Sequence, residues 1–222
     1  MLDFVLYMVF SILEAYAMFY LAFKVFKIDI YPVEIVFAGT IMAFVSYALR
    51  IDYKMVLTDV FIQYLLTFCF FWFLFRIHVF YAAIMTGLAY LSYMLIQSTC
   101  YFIINSTFLY SVKPPFTAIS VYVLQSISVL ITSVIGFYIG KYRKGFDFVP
   151  DKQNVKVTIA NREIKIFLLS APSIFLVILM MILTQKYSQF FFLIPVINAI
   201  LLYAYLYHSY KKDRTQDEFI SL

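Results

Sequence analysis

The residues best placed to do chemistry in this sequence are polar groups set in apolar surroundings. Glu14 lies in Phe10-Ser11-Ile12-Leu13-Glu14-Ala15-Tyr16-Ala17, about 15 Å along a helix starting near residue 4, at 1.5 Å per residue. An ionisable group at membrane depth costs on the order of 2.5–3.5 kcal/mol on insertion scales. Glu14 is therefore expected to be protonated or hydrogen-bonded to a polar group on another helix. Either it serves a ligand or a proton-sensitive switch, or its hydrogen bond locks helix packing. Asp59, Gln63, Gln97, Gln125 and Asn198 are the other strong hydrogen-bonding side chains placed inside apolar runs. With Glu14 they form the candidate ligand-binding set.

A second pattern concerns packing. Ser128, Thr132, Gly136 and Gly140 recur every four residues, on one helical face, and small residues at that spacing let two helix backbones approach closely. The partner is either another helix of this chain or a second subunit. Pro172 and Pro195 fall inside apolar runs and mark candidate kinks. His78 and His208 are isolated and read as solvated helix ends. Cys69 and Cys100 both sit in apolar segments, which argues against a disulfide framework or a zinc site.

No phosphate-binding glycine loop, His-Glu-x-x-His pair or Gly-x-Ser-x-Gly elbow occurs. No catalytic residue, cofactor or metal is expected. Asp3 near the N-terminus, in place of a basic region, argues against a removable signal peptide.

The elements that must position these residues follow from hydropathy. Of 222 residues, 64% are hydrophobic and 13% charged, against roughly 45–50% and about 25% in a soluble domain. Uncharged stretches at 77–112, 114–140, 166–185 and 187–210 are each long enough for a helix of about 20 residues to cross hydrocarbon. The reading is an all-α polytopic membrane bundle of about seven helices, near 4–23, 35–51, 57–76, 79–104, 117–140, 166–185 and 190–210. The second is the shortest, and its uncharged core, 35–49, needs Arg50 as a snorkelling end. Abundant Phe, Tyr, Ile and Lys with only 5 glycines suggests an AT-rich bacterial genome, and so a multi-pass protein of the bacterial cytoplasmic membrane. Scarce glycine also weighs against rocking transporter helices, whose interfaces rely on small residues.

Cytoplasmic loops are enriched in Lys and Arg. With the N-terminus outside, 13 of the 17 basic residues fall inside and four, Arg50, Lys54, Lys113 and Lys186, fall outside. The C-terminal tail, 211–222, is then cytoplasmic, and the net charge of +5 reflects topology, with no need for a nucleic-acid partner. In this orientation the candidate polar residues from Asp59 to Asn198 lie in the outer halves of their helices. That gradient suggests a polar cavity opening outward, with Arg50, Asp52 and Lys54 near its rim. The alternative is that the amides only join helices, each worth roughly 0.6–2 kcal/mol.

The longest polar connection, 141–165, lies inside. Val155-Lys156-Val157-Thr158-Ile159 and Ile164-Lys165-Ile166 flank Ala160-Asn161-Arg162-Glu163, which reads either as a small β-hairpin or as an amphipathic lead into the next helix.

Phe75-Arg76-Ile77-His78-Val79-Phe80-Tyr81-Ala82-Ala83, continuing to Met94-Leu95-Ile96-Gln97, resembles the membrane portion of Gram-positive sensor histidine kinases of the GHKL type. Gly145-Phe146-Asp147-Phe148-Val149-Pro150 and the basic exit Tyr210-Lys211-Lys212-Asp213-Arg214 add to the resemblance. It implies a membrane sensor, although no dimerisation helix, phospho-acceptor histidine or ATP-binding domain follows in this sequence. The expected function is a non-enzymatic sensor or regulatory protein that receives an external apolar or peptide-like ligand. Its expected partners are the lipid bilayer and a cytoplasmic signalling protein or membrane subunit. The alternatives are a small-solute transport component and an immunity or accessory membrane subunit.

Overall fold

The first two helices open on acidic residues suited to the positive end of the helix dipole. In the computed structural model, which describes residues 2–106, 119–149 and 193–220, α1 runs over Leu2–Val25 with Asp3 in its first turn and Lys24 in its last. α2, Pro32–Tyr47, opens on a proline, whose missing N–H is no loss there, and carries Glu34 in its first turn. It continues as a π-helical turn, Ala48–Asp52. α3, Val56–Cys69, likewise ends in a π-helical turn, Phe70–Leu74. α4 spans Val79–Ser106, α5 Ile119–Lys141 and α6 Leu193–Ile220.

Four helix ends share one device. Lys27, Lys54, Arg76 and Arg143 adopt left-handed φ values of 51°, 55°, 55° and 50°, a role usually taken by glycine. The next residue then donates back to a carbonyl of the final turns: Ile28 to Phe23 and Lys144 to Ile139 after the α-helical ends, Met55 to Leu49 and Ile77 to Phe71 after the π-helical ones. The reach is one residue longer at the π ends, because a π turn holds an additional residue. A cation at each position also faces the negative end of a helix dipole.

All described elements are helical, and five of them are long and apolar enough to cross a bilayer: Leu2–Val25, Pro32–Asp52, Val56–Leu74, Val79–Ile104 and Ile119–Lys141. Their outward faces carry large apolar side chains, with Val33 78% and Leu130 65% exposed. Such a surface suits hydrocarbon and would be costly in water.

The second helix differs from its sequence reading. It begins at Pro32 and runs 21 residues, roughly 30 Å at 1.5 Å per residue. Arg50 does not snorkel outward; it turns in and forms an ion pair with Asp59. The last helix also departs from expectation. It continues past residue 210 to Ile220, through Lys, Arg, Gln and Glu, which are good helix formers. Pro195 lies at the edge of the described part of this helix, two residues after Leu193. The expected helix 166–185, Pro172 and the hairpin reading of 155–166 lie outside the described residues.

α1 is the central element, packing on α2, α4 and α5. Its lower half is aromatic: Phe19 meets Phe71 edge-on at 5.1 Å and Phe23 meets Phe75 edge-on at 4.8 Å, the arrangement ring quadrupoles favour. Where α1 crosses α2, a Cβ on Gly39 would stand 3.4 Å from the Ala15 Cβ. α6 is tied to α4 by the buried Tyr205 hydroxyl, which donates to the Ile84 carbonyl at 2.6 Å.

After α5 the chain turns back under α1. The Phe146 N–H donates to the Val25 carbonyl at 2.7 Å, Lys27 pairs with Asp147, and Phe148 and Val149 are buried. Phe148 packs edge-on against Phe26 at 5.7 Å and lies 6.3 Å from Tyr81. Gly145 makes this strap possible, because a Cβ there would sit 2.6 Å from the Val25 carbonyl oxygen.

Candidate functional site

Glu14 projects from the middle of α1 toward α4 and α5. Gln97 of α4 donates its Nε2 to Glu14 Oε1 at 3.1 Å, and Gln125 of α5 donates its Nε2 to Glu14 Oε2 at 2.8 Å. Each carboxylate oxygen thus accepts one amide N–H, and three helices meet at one side chain. In a low-dielectric interior such bonds are electrostatically stronger than in water.

One turn or two toward the start of α1 stands a second cluster, centred on the fully buried Asp59. Arg50 Nε and Ser46 Oγ both donate to Asp59 Oδ2, the latter at 3.2 Å. Gln63 Nε2 donates to Asp59 Oδ1 at 3.2 Å and to the Met42 carbonyl at 2.9 Å. Tyr7 and Ser46 share a 2.7 Å hydroxyl bond. Ser46 has one hydroxyl hydrogen, committed to Asp59, so Tyr7 is the donor and the relay runs Tyr7 to Ser46 to Asp59.

A cavity of about 120 Å³ joins the clusters, with Glu14, Arg50, Gln63, Gln97 and Gln125 all on its wall. Tyr93 lines it too, with its buried hydroxyl directed at the Glu14 carboxyl group.

The six candidate binding residues are therefore not all in one place. Glu14, Gln63, Gln97 and Gln125 line the cavity, and Asp59 stands behind its wall, holding Arg50 and Gln63. Asn198, on α6, is buried and does not line it. Asp52 and Lys54, expected at a rim, are exposed and also do not line it.

Tyr7, Ser46 and Tyr93 were not among the candidates, and Arg50 was placed only at the rim. A signal for them exists in spacing. Tyr7, Ser11, Glu14 and Met18 follow one another by four, three and four residues, and Met42, Ser46 and Arg50 by four, which are single helical faces. Tyrosine is so abundant here, at 20 residues, that its type alone singles out none.

The small-residue stripe of α5 faces α1 of the same chain. Ser128 and Thr132 are fully buried, a Cβ on Gly136 would meet the Tyr20 ring at 2.7 Å, and one on Gly140 would meet Lys24 Cδ at 2.8 Å. His78 accepts the Phe80 N–H on its Nδ1 at 3.3 Å and so serves the start of α4. His208 packs edge-on against Tyr207. Both cysteines are free thiols, and no group of His, Cys, Asp or Glu that could hold a metal occurs among the described residues.

No protein-family model, curated protein or solved structure matches this chain. The class the geometry defines is a helical protein with five candidate membrane spans among the described residues and, between them, a cavity onto which Glu14, Arg50 and three glutamines open.

Proposed function

We propose that this chain is a non-enzymatic membrane sensor, crossing the bilayer seven times with its N-terminus outside, that receives an apolar or peptide-like ligand from outside in the Glu14 cavity. The observation that carries the reading is the convergence of Gln97 and Gln125 on Glu14 from two other helices. Three helices then share one polar contact, and a ligand that competes for it acts on all three.

The output side is supported by α1 itself. The helix that presents Glu14 also holds the strap at Val25 and Lys27, so movement of α1 reaches the start of the 141–165 connection directly. Basic residues concentrate on that side, where a cytoplasmic partner would dock.

The test is photo-crosslinking in cells from residue 144 and residue 211, in wild type and in Glu14→Gln. Capture of one cytoplasmic protein, altered in yield by Glu14→Gln, is the expected result. Solute accumulation in vesicles containing only this protein would replace the sensor reading with transport.

A further inference from the structure

α1 and α5 lie side by side and end at the same level, because two glycines of α5 seat two side chains of α1. A Cβ on Gly136 would stand 2.7 Å from the Tyr20 ring, and one on Gly140 would stand 2.8 Å from Lys24 Cδ. The Lys24 stem therefore crosses α5 one residue before Lys141, where that helix ends. Arg143 and Lys144 follow at once. The Lys144 N–H donates to the Ile139 carbonyl at 3.1 Å, so the cap of α5 fixes where this third lysine stands.

The cations are laid among aromatic rings. Lys24 Nζ is 5.8 Å from the centre of the Tyr20 ring, Lys144 Nζ is 5.8 Å from that of Tyr138, and Tyr138 and Tyr142 pack 4.6 Å apart. Lysine stems over tyrosine rings suit a membrane interface, where the apolar body stays at the edge of the hydrocarbon and the ammonium reaches the headgroups. Among the described residues the ion pairs are Lys27 with Asp147 and Arg50 with Asp59, and Lys24, Lys141 and Lys144 take part in neither. The negative ends of the two helix dipoles, roughly half an elementary charge each, are outweighed by these three lysines and Arg143.

An exposed apolar track leads to the same place. Leu130, Val134, Phe137 and Lys141 follow one another by four, three and four residues, which is one helical face. The first three are 65%, 66% and 63% exposed. A chain of hydrocarbon lying on them carries its polar head to Lys141 and Lys144. Basic sites of this kind between membrane helices suit acidic headgroups.

We infer that the joined ends of α1 and α5 bind an anionic phospholipid, its acidic headgroup held by Lys24, Lys141 and Lys144 and an acyl chain lying along Leu130, Val134 and Phe137. The site does not depend on the sensor reading. It holds for whichever leaflet this end of the molecule faces.

The full chain in neutral mixed micelles is titrated with phosphatidylglycerol and, separately, with phosphatidylcholine of the same acyl chains, and the thermal unfolding midpoint is followed. A saturable rise with phosphatidylglycerol, several times larger than with phosphatidylcholine, is the expected result. Each lysine near an anionic surface contributes roughly a factor of five, so Lys141→Gln with Lys144→Gln should weaken the apparent affinity at least about tenfold. Lys54→Gln, exposed after α2, should leave it unchanged. An equal response to both lipids overturns the inference, as does wild-type affinity in the double variant. If Lys54→Gln weakens binding as much as the double variant does, the attraction is only that of net charge and the site is overturned. An equal rise with glycerol 3-phosphate would assign a soluble anion in place of a lipid. If the double variant fails to fold, Leu130→Ser with Val134→Ser decides, and wild-type lipid affinity there overturns the site. Capture of one protein from residue 144 in cells, with no preference between the lipids, would assign this face to that protein and overturn the lipid site.

Discussion

Gln125 of α5 donates a 2.8 Å hydrogen bond to Glu14 of α1 across 111 residues of sequence. Gln97 closes the other side of the same carboxylate. The two bonds share an acceptor, so removing them should not be additive. Gln97→Ala and Gln125→Ala are each expected to cost about 0.6–2 kcal/mol, and the double variant should differ from their sum by at least about 0.5 kcal/mol. Equilibrium unfolding in mixed micelles measures the cycle, and strict additivity would show that the bonds do not converge.

The Arg50–Asp59 pair makes a sharper prediction, because Asp59 is wholly buried. Arg50→Ala leaves that carboxylate without its counter-charge and should destabilise the protein by about 3–5 kcal/mol. Arg50→Met with Asp59→Leu removes both charges and should recover most of the loss. An Arg50→Ala protein as stable as wild type would mean that Arg50 snorkels after all.

Gly145 tests the strap beneath α1. A methyl group there meets the carbonyl oxygens of Val25 and Lys24 at 2.6 and 2.9 Å, and backbone cannot swing aside as a side chain can. Gly145→Ala is expected to detach the strap at a cost of about 1–3 kcal/mol. Amide exchange at Phe146, bonded to Val25, should rise at least about fivefold, whereas unchanged protection would mean the strap tolerates a side chain.

Orientation is decided by two exposed positions, Asp29 after α1 and Tyr53 after α2. In a background with Cys69→Ala and Cys100→Ala, Asp29→Cys should react only from the cytoplasmic side and Tyr53→Cys only from outside. Labelling of both from one side would mean that Pro32–Asp52 does not span.

How much of this was legible depended on whether a feature is local. The helical class, the five apolar spans to within a few residues, and Glu14 as a costly residue all follow from runs of hydropathy, which any helix in hydrocarbon must satisfy. The second span starts at Pro32, three residues before its expected start, and the direction of Arg50 is what hydropathy could not give. Charge at a helix end is ambiguous until its direction is known, and Arg50 points inward to Asp59.

The amino-acid sequence by itself determined that apolar helices would form, where polar groups would interrupt them, and that α5 carries a face of small residues, since each is set by neighbours within a turn or two. Only the tertiary structure decided which groups meet. It brings Glu14 to Gln97 and Gln125, leaves Asn198 away from the cavity, and lays Gly136 against Tyr20 of the same chain. The physical reason is rotation: an apolar helix has no strongly marked inner face, and its facing is settled by close packing and by the need of each buried polar atom for a partner on another helix.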